Sequence, residues 1–231
     1  MRFAEGQNLL IYPPDPPAEA QAEAAVQAAP PPVILFLHGM GERGEGPAEL
    51  PETARWGLPK FRAERRRLLE TPFPFLVAAP QCPKTNTWCD ETMLLALGHL
   101  LDGPITERGD AQRLYLTGFS MGGIGAFCLA LRHPRRFAAL ASVCGACTTA
   151  ESLPRLSHLP LWVAYGEDDE IGELTAGSRE IVARLKTHGW LVEKPYRLGH
   201  KGGLGPHVRT GDAAYAEAGL YDWLLSHRLP G

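Results

Sequence analysis

Hydrophobic positions along this chain form short continuous runs that alternate with stretches of helical periodicity. Continuous apolar runs are typical of strands buried on both faces of a sheet. The runs lie at residues 33–37, 73–79, 114–117, 137–143, 161–165 and 190–198. Helical patterns lie at residues 59–69, 91–101, 123–132, 174–188 and 215–227. This alternation predicts an α/β fold with a mostly parallel central sheet and helices on both faces.

Length and composition indicate one globular domain. The chain has 231 residues, of which 45% are hydrophobic and 21% are charged. This length suits one α/β domain with a full core, so we predict a single domain over residues 1–231. Residues 13–32 are mostly proline, alanine, glutamate and glutamine, and they predict a surface loop or linker.

The net charge of the chain indicates which partners it can bind, and its first residues indicate where in the cell it is located. A formal net charge of −3 offers no broad basic surface, so we expect neither a nucleic-acid partner nor a membrane partner. No apolar run approaches the length of a membrane span, and residues 1–10 lack the apolar core of a signal peptide. We therefore predict a cytoplasmic protein. The sequence leaves the oligomeric state open.

The five cysteines predict reduced thiols, because their number is odd and their spacing matches no disulfide-rich pattern. Cys144 and Cys147 form a CxxC pair. A redox role or half of a zinc site is the alternative for this pair, but no second Cys/His pair with metal-ligand spacing accompanies it. We expect no metal site, and we expect Cys144 to end a buried strand as a small apolar residue.

A GxSxG motif, Gly118 to Gly122, lies where a predicted strand meets a predicted helix. In this context the motif is typical of a nucleophile elbow, in which a serine occupies a strained turn. The flanking glycines are needed because a Cβ at either position would collide with the neighbouring strand or helix. We therefore predict that Ser120 is a catalytic nucleophile. The alternative is a glycine-rich turn that contains a serine by chance.

A second glycine-rich segment, residues 38–44, directly follows the predicted strand 33–37. Such a loop can turn a backbone N–H toward a reacting carbonyl and supply one donor of an oxyanion hole. We predict this role for the N–H of Met40, with the N–H of Met121 as the second donor. His38 is expected to be structural. Glu42 and Arg43 are expected to be solvated loop charges or a local ion pair.

Four carboxylates follow the predicted strand 161–165, namely Glu167, Asp168, Asp169 and Glu170. A serine triad needs one buried carboxylate that holds a histidine tautomer, and in this architecture the chain order is serine, acid, histidine. The pattern alone does not choose among the four. At least two of them are expected to be ordinary surface charges.

Two histidines after the last predicted strand are candidates for the general base. His200 comes directly after the strand, as a catalytic loop requires, and is the favoured candidate. His207 is nearer the closing helix and is the alternative. His188 and His227 are badly placed, because the first precedes the strand and the second ends the final helix.

Together these motifs resemble α/β-hydrolase-fold esterases, in particular the bacterial branch of phospholipase/carboxylesterases and polyhydroxybutyrate-depolymerase-like or feruloyl-esterase-like proteins. The residues that carry the resemblance lie at 35–44, 57–60, 79–83 with Trp88, 115–123, 136–139, 159–163 and 220–225. The family's GxxD pattern implies Asp169 as the acid, and its Gly-His pattern implies His200 as the base. The chain departs from the family in its inserted residues 201–206 and in lacking a tryptophan shortly after the histidine.

The resemblance implies hydrolysis of small or soluble carboxylic esters through an acyl-enzyme, without a metal or an organic cofactor. A small-molecule ester is then the expected partner. Gln81 and Trp88 are candidate pocket residues, and packing in a long loop is the alternative for Trp88. No separate lid domain is expected, because residues 144–160 are few. A peptidase or thioesterase with the same triad, and a non-catalytic binding protein on the same fold, are the alternative functions.

Overall fold

A seven-stranded sheet forms the centre of the protein. The computed structural model describes residues 2–16, 29–65, 72–103, 105–187 and 189–230. The strands are β1 (Leu9–Tyr12), β2 (Val33–Leu37), β3 (Leu76–Pro80), β4 (Leu114–Phe119), β5 (Ala139–Val143), β6 (Leu161–Gly166) and β7 (Leu191–Tyr196). Their order is β1-β3-β2-β4-β5-β6-β7, and all neighbours are parallel except β1 with β3. The predicted α/β fold with a mostly parallel sheet is confirmed.

Helices cover both faces of the sheet. They are α1 (Gly57–Arg65), α2 (Glu91–Leu101), α3 (Met121–Arg132), α4 (Gly172–Leu185), α5 (Pro206–Ala216) and α6 (Ala218–Leu225). Helices α2, α3 and α4 contribute to the hydrophobic core on one face, and α1, α5 and α6 contribute to the core on the other. Strands β2 to β6 are buried along their whole length because both of their faces are covered.

The parallel sheet brings the motifs of the sequence to one edge. The segments after β2, β4 and β6 carry residues 38–44, Ser120 and residues 167–170. Since the carboxyl ends of parallel strands lie at the same edge of a sheet, these segments become neighbours although they are far apart in sequence. The first residues of α5 join them there, because Cys144 at the end of β5 lies against the carbonyl of His207.

Two elements differ from the prediction. Strand β1 was not predicted, and it pairs antiparallel with β3 at the edge of the sheet. The helix predicted over residues 215–227 corresponds to α6 and the end of α5; residues 206–214 of α5 were not predicted as helix, and the two helices are separated at Glu217. The Glu217 carboxylate accepts hydrogen bonds from Lys194 Nζ and Tyr196 Oη on β7, both at 2.5 Å. These contacts hold Glu217 in an extended conformation, so the helix stops there.

Cys89 and Cys128 form a disulfide, so the prediction of reduced thiols is wrong for these two residues. Cys89 lies just before α2, and Cys128 lies within α3. Their separation of 39 residues gives no local pattern, and the pair forms because α2 and α3 are neighbours on the same face of the sheet. Cys82, Cys144 and Cys147 are free.

Some predictions fall on parts of the chain that the structure does not describe. The predicted loop at residues 13–32 includes residues 17–28, and the ends of two predicted helices include residues 66–69 and 188, all outside the described ranges. The single domain over residues 1–231 stays a prediction. Within the described ranges, no helix combines the length and the apolar character that a membrane crossing requires.

Candidate active site

Ser120 occupies a strained turn between β4 and α3. Its backbone φ of 57° and ψ of −118° lie in a region that costs a non-glycine residue about 1–3 kcal/mol. A Cβ on Gly122 would overlap the carbonyl of Leu37 in β2, and a Cβ on Gly118 would overlap the backbone of Gly122. The steric reason predicted for the two glycines is therefore confirmed. Close packing of β2, β4 and α3 holds the turn in place.

His207 and Asp169 form a buried pair. His207 Nδ1 lies 2.7 Å from Asp169 Oδ2, and the two side chains are 9% and 1% exposed. The other oxygen, Asp169 Oδ1, accepts a hydrogen bond from the backbone N–H of Ile171 at 2.8 Å. The imidazole ring lies against the ring of Phe119, with 4.8 Å between centroids. Since Phe119 directly precedes Ser120, the imidazole is next to the strained turn.

The histidine that contacts Asp169 is His207, which corrects the preference for His200. His200 is exposed, and residues 201–204 after it form a tight turn that leads the chain to α5. Helix α5 begins at Pro206, so His207 stands in its first turn. A sequence signal for this exists, because proline is favoured at the first position of a helix. Gly205-Pro206 therefore marks a helix start directly before His207.

The four carboxylates after β6 have separate roles. Asp169 holds the His207 ring, and Glu170 accepts a hydrogen bond from the backbone N–H of His207 at 2.9 Å. Asp168 accepts from two backbone N–H groups after β7, at 2.7 and 3.3 Å, and these bonds lower its pKa. Glu167 forms ion pairs with two arginines at 3.4 and 3.6 Å. Three of the four thus help to fix the loop and helix that carry His207.

The loop after β2 is held by a network around His38. The Nε2 atom of His38 accepts a hydrogen bond from the N–H of Cys82 at 2.9 Å, and Nδ1 donates to the carbonyl of Gly39 at 2.6 Å. Burial lowers the pKa of His38 to about 4, so the ring is neutral at pH 7. Trp88 Nε1 donates to the carbonyl of His38 at 2.9 Å. His38 therefore has the structural role that the sequence predicted, and it fixes the loop that carries Met40.

A cavity of about 400 Å³ reaches Ser120. Most side chains that line it are apolar, and among the described residues that do so none is charged. They include Met40, Trp88, Met121, Ile124, Ile171 and Leu174. Both residues predicted as oxyanion donors thus border the cavity together with Ser120. Met121 is the first residue of α3, and the first N–H groups of a helix have no partner within the helix.

The two predicted pocket residues differ in position. Trp88 lines the cavity and is also hydrogen-bonded to the loop, so it combines the two roles that were considered for it. Gln81 is buried, and its Nε2 donates to the carbonyls of Glu42 at 3.1 Å and Glu49 at 2.7 Å. A Cβ on Gly44 would lie 2.5 Å from that nitrogen. Gln81 therefore braces the backbone of the loop, and its prediction as a pocket residue is not supported.

Glu42 is a candidate residue that the sequence did not reveal. Its side chain is buried, with 1% of the residue exposed, so the expectation of a solvated charge is wrong. Its Oε1 atom has no hydrogen-bond partner. Arg43 bonds to backbone carbonyls of the loops, including that of Met40 at 3.1 Å. A glutamate in a glycine-rich loop gives no local signal of burial, because the covering residues come from other parts of the chain.

Cys144 lies close to the buried pair. Its Sγ, one oxygen of Asp169 and one nitrogen of His207 are within 4.8 Å of one another, a spacing that a metal ion could bridge. The direct hydrogen bond between Asp169 and His207 already uses the facing atoms of both side chains. Burial raises the pKa of the Cys144 thiol well above its usual value, which disfavours the thiolate that a metal would bind. The donor set therefore fits a buried hydrogen-bonded pair better than a metal site.

A strained serine at the carboxyl edge of a parallel sheet, with a histidine–aspartate pair beside it, defines an α/β hydrolase. The comparison with protein families narrows this class. A model of the Esterase family matches residues 62–194, more than half of the chain. The chain belongs to this esterase family. The matched region contains Ser120 and Asp169 and ends before His207. Among curated proteins, none matches the chain.

Solved structures of similar shape agree with the fold. A thermostable esterase has 26% sequence identity and a TM-score of 0.70, and the alignment covers 95% of this chain and 59% of that one. The chain thus spans less than two thirds of that relative. Acyl-protein thioesterase 2 of Zea mays has 18% identity and a TM-score of 0.58, with 94% and 98% of the chains covered. A ferulic acid esterase has 16% identity and a TM-score of 0.60, with 94% and 97% covered.

Proposed function

We propose that this protein is a carboxylesterase-type serine hydrolase, with Ser120 as nucleophile, His207 as general base and Asp169 as the acid that orients the imidazole. The observation that carries the proposal is the 2.7 Å hydrogen bond between His207 Nδ1 and Asp169 Oδ2, next to the strained turn of Ser120. This bond leaves His207 Nε2 free to take the serine proton. Membership of the esterase family supports the same class of reaction.

The reaction proceeds in two acyl-transfer steps. An electron pair of Ser120 Oγ forms a bond to the ester carbonyl carbon, the serine proton passes to His207 Nε2, and the carbonyl π pair becomes the oxyanion. When this intermediate collapses, the C–O bond to the alcohol breaks and the alcohol leaves with the proton from His207. Water then attacks the carbonyl carbon of the acyl-enzyme and gives a proton to His207. When this second intermediate collapses, the bond from the acyl carbon to Ser120 Oγ breaks, Oγ takes the proton from His207 and the carboxylic acid leaves. Asp169 keeps its hydrogen bond to His207 Nδ1 and stabilises the imidazolium in both steps.

The backbone N–H groups of Met40 and Met121 are the proposed oxyanion donors. Both residues border the cavity at Ser120, one on the loop after β2 and the other at the start of α3. A donor in such a site typically stabilises the transition state by about 3 kcal/mol. The His38 network and the bracing by Gln81 keep the Met40 loop in place before the substrate arrives. The mechanism uses side chains, backbone N–H groups and water.

The proposed substrates are small or soluble esters with an uncharged acyl group. The cavity of about 400 Å³ is at the lower end of the range for small-molecule pockets. Its apolar lining would desolvate a charged acyl group without providing a partner for it. A thioesterase is the second candidate, since an acyl-protein thioesterase has the same fold. A binding protein on this fold is disfavoured by the complete set of Ser120, His207 and Asp169.

The predicted cytoplasmic location stays a prediction. The Cys89–Cys128 disulfide counts against a strongly reducing compartment, where most thiols are kept reduced. A count of free thiols in protein prepared under non-reducing conditions from its native cells tests this point. Three reactive thiols under denaturing conditions would agree with the disulfide, since three of the five cysteines are free.

Two assays test the proposed function: hydrolysis of p-nitrophenyl esters and covalent labelling by a fluorophosphonate. Wild type is expected to hydrolyse p-nitrophenyl acetate and butyrate faster than the octanoate, and to incorporate one fluorophosphonate at Ser120. Ser120→Ala is expected to lose both properties. The matched panel of butyrate ester, thioester and amide separates an esterase from a thioesterase or a peptidase. Failure of wild type both to hydrolyse any member and to take up the label would favour a binding protein.

A further inference from the structure

The Cys89–Cys128 disulfide forms part of the wall of the cavity at Ser120. Cys89 borders the cavity directly, next to Trp88. Thr148 also borders the cavity, and its Oγ1 lies 3.9 Å from Cys128 Sγ. The bond between the two cysteines is therefore close to the surface that an acyl group at Ser120 would contact.

The disulfide joins the segment before α2 to helix α3. Ile124 borders the cavity and lies about one turn before Cys128, on the same face of α3. A Cβ on Gly125 would be 2.2 Å from Trp88 Cβ, so the segment that ends at Cys89 lies directly against this helix. The disulfide thus fixes the separation of two parts of the cavity wall, one on the segment and the other on α3.

Other contacts hold these elements together when the disulfide is broken. The Glu91 carboxylate at the start of α2 accepts two hydrogen bonds from the Arg132 guanidinium of α3, at 2.7 and 3.1 Å. Trp88 Nε1 donates to the carbonyl of His38. Neither Glu91 nor Arg132 borders the cavity. Loss of the disulfide is therefore expected to loosen the cavity wall while α2 and α3 remain neighbours.

We propose that the Cys89–Cys128 disulfide determines acyl-chain specificity by keeping the cavity short, and that its reduction by a dithiol admits longer acyl groups. The proposal rests on the proposed function. Two bonded sulfur atoms are closer together than two thiols can be, so the wall must move outward when the bond is broken. Neither cysteine forms a bond to the ester, and both act through the shape of the cavity.

The reduction is a thiol–disulfide exchange. Both cysteines are half-buried, so a small dithiol in solution can reach the bond. One thiolate of the dithiol attacks a sulfur atom, and the Cys89–Cys128 bond breaks as a mixed disulfide forms. The second thiolate of the dithiol attacks this mixed disulfide, closes the reductant's own disulfide and releases the remaining cysteine. Two electrons pass from the dithiol to the protein, and the two thiol protons of the dithiol pass through solvent to Cys89 and Cys128.

The test compares kcat/KM for p-nitrophenyl octanoate and butyrate in oxidised and reduced wild type. Dithiothreitol is removed by anaerobic gel filtration before the assay, because its thiolates cleave p-nitrophenyl esters. On complete reduction the number of free thiols should rise from three to five. The octanoate-to-butyrate ratio is expected to rise about 4- to 15-fold, the effect of burying one or two further methylene groups at about fourfold each. An unchanged ratio would overturn the proposal.

The double variant Cys89→Ser/Cys128→Ser should have the ratio of reduced wild type and should not respond to dithiothreitol. Cys147→Ser is the matched control, because it removes a free cysteine that does not border the cavity. It should keep the wild-type ratio in both states. Glu91→Gln weakens the other link between α2 and α3, outside the cavity, and should also keep the wild-type ratio. A rise equal to that of the double variant would overturn the assignment to the disulfide.

Reduced wild type decides the question if the double variant does not fold. Fluorophosphonate labelling of Ser120 reports whether the reduced protein keeps its active site. Loss of labelling on reduction would overturn the proposal, because the bond would then be needed for the structure of the site and not for selectivity. If oxidised wild type shows neither hydrolysis nor labelling, the proposed function fails. If it is active and its ratio does not respond to reduction, the proposed function stands and the role of the disulfide fails.

Discussion

Gly211 offers a test of how closely α5 must pack against the turn of Ser120. It lies in α5 about one turn after His207, against the ring of Phe119. A Cβ at this position would be 2.7 Å from Phe119 Cε2 and 3.0 Å from Cδ2. Ordinary contact begins at 3.4 Å, so in Gly211→Ala the ring and the helix must separate by about 0.7 Å. Phe119 precedes Ser120 and packs against His207, so the shift reaches the proposed nucleophile and the proposed base.

Gly211→Ala is expected to lose activity and to remain folded. A displacement of about 1 Å in an active site can lower the rate roughly 100-fold, and we therefore expect kcat/KM to fall roughly 10- to 50-fold in Gly211→Ala. Overpacking costs about 1–3 kcal/mol, and replacing a helical glycine with alanine returns about 1 kcal/mol. The variant should therefore fold, with a free energy of unfolding at most about 2 kcal/mol below wild type.

The assay combines p-nitrophenyl butyrate kinetics with urea unfolding. Gly219→Ala in α6 is the control, because a Cβ there would meet only Glu217 Oε1 at 3.7 Å and the residue is exposed. This control should keep wild-type activity. If Gly211→Ala is folded and as active as the control, the argument that Phe119 transmits the position of α5 to Ser120 and His207 is refuted.

Two further predictions concern the triad and the disulfide. Asp169→Asn should lower kcat about 10³- to 10⁴-fold, because the imidazole loses the acceptor that sets its tautomer. Glu167→Gln, a change at an exposed member of the same loop, should leave kcat within about twofold, and steady-state kinetics of both variants decide the point. Cys89→Ser should lower the free energy of unfolding by up to about 4 kcal/mol, since the disulfide closes a loop with a separation of 39 residues. Equal unfolding midpoints of wild type with and without dithiothreitol would show that the Cys89–Cys128 bond does not form.

Much of the fold could be predicted because its signals are local. Strand β2 and helix α2 have the bounds that their apolar patterns indicate. Strand β1 is a four-residue apolar run, and it was missed because only its pairing with β3 distinguishes so short a run at the sheet edge from an apolar loop segment. The break at Glu217 was missed for a similar reason, since the residues that cause it lie on β7.

The parts of the candidate site that lie in sequence motifs could be predicted. Ser120 could be proposed as the nucleophile because the glycines around it meet a steric requirement that is local in sequence. The choice of Asp169 as the acid required the resemblance to a family, because the four neighbouring carboxylates have the same local pattern. The choice between His200 and His207 depends on where α5 begins, and the helix begins at Pro206. Glu42 is buried by residues distant in sequence, so no local reasoning could find it.

The central claim is that His207, paired with Asp169, is the base that activates Ser120. Its most direct test is the hydrolysis of p-nitrophenyl butyrate by His207→Ala and His200→Ala in parallel. The account predicts that His207→Ala loses at least about 10³-fold in kcat while His200→Ala, a change at an exposed loop residue, stays within about threefold of wild type. Loss of activity in His200→Ala with His207→Ala still active would contradict it.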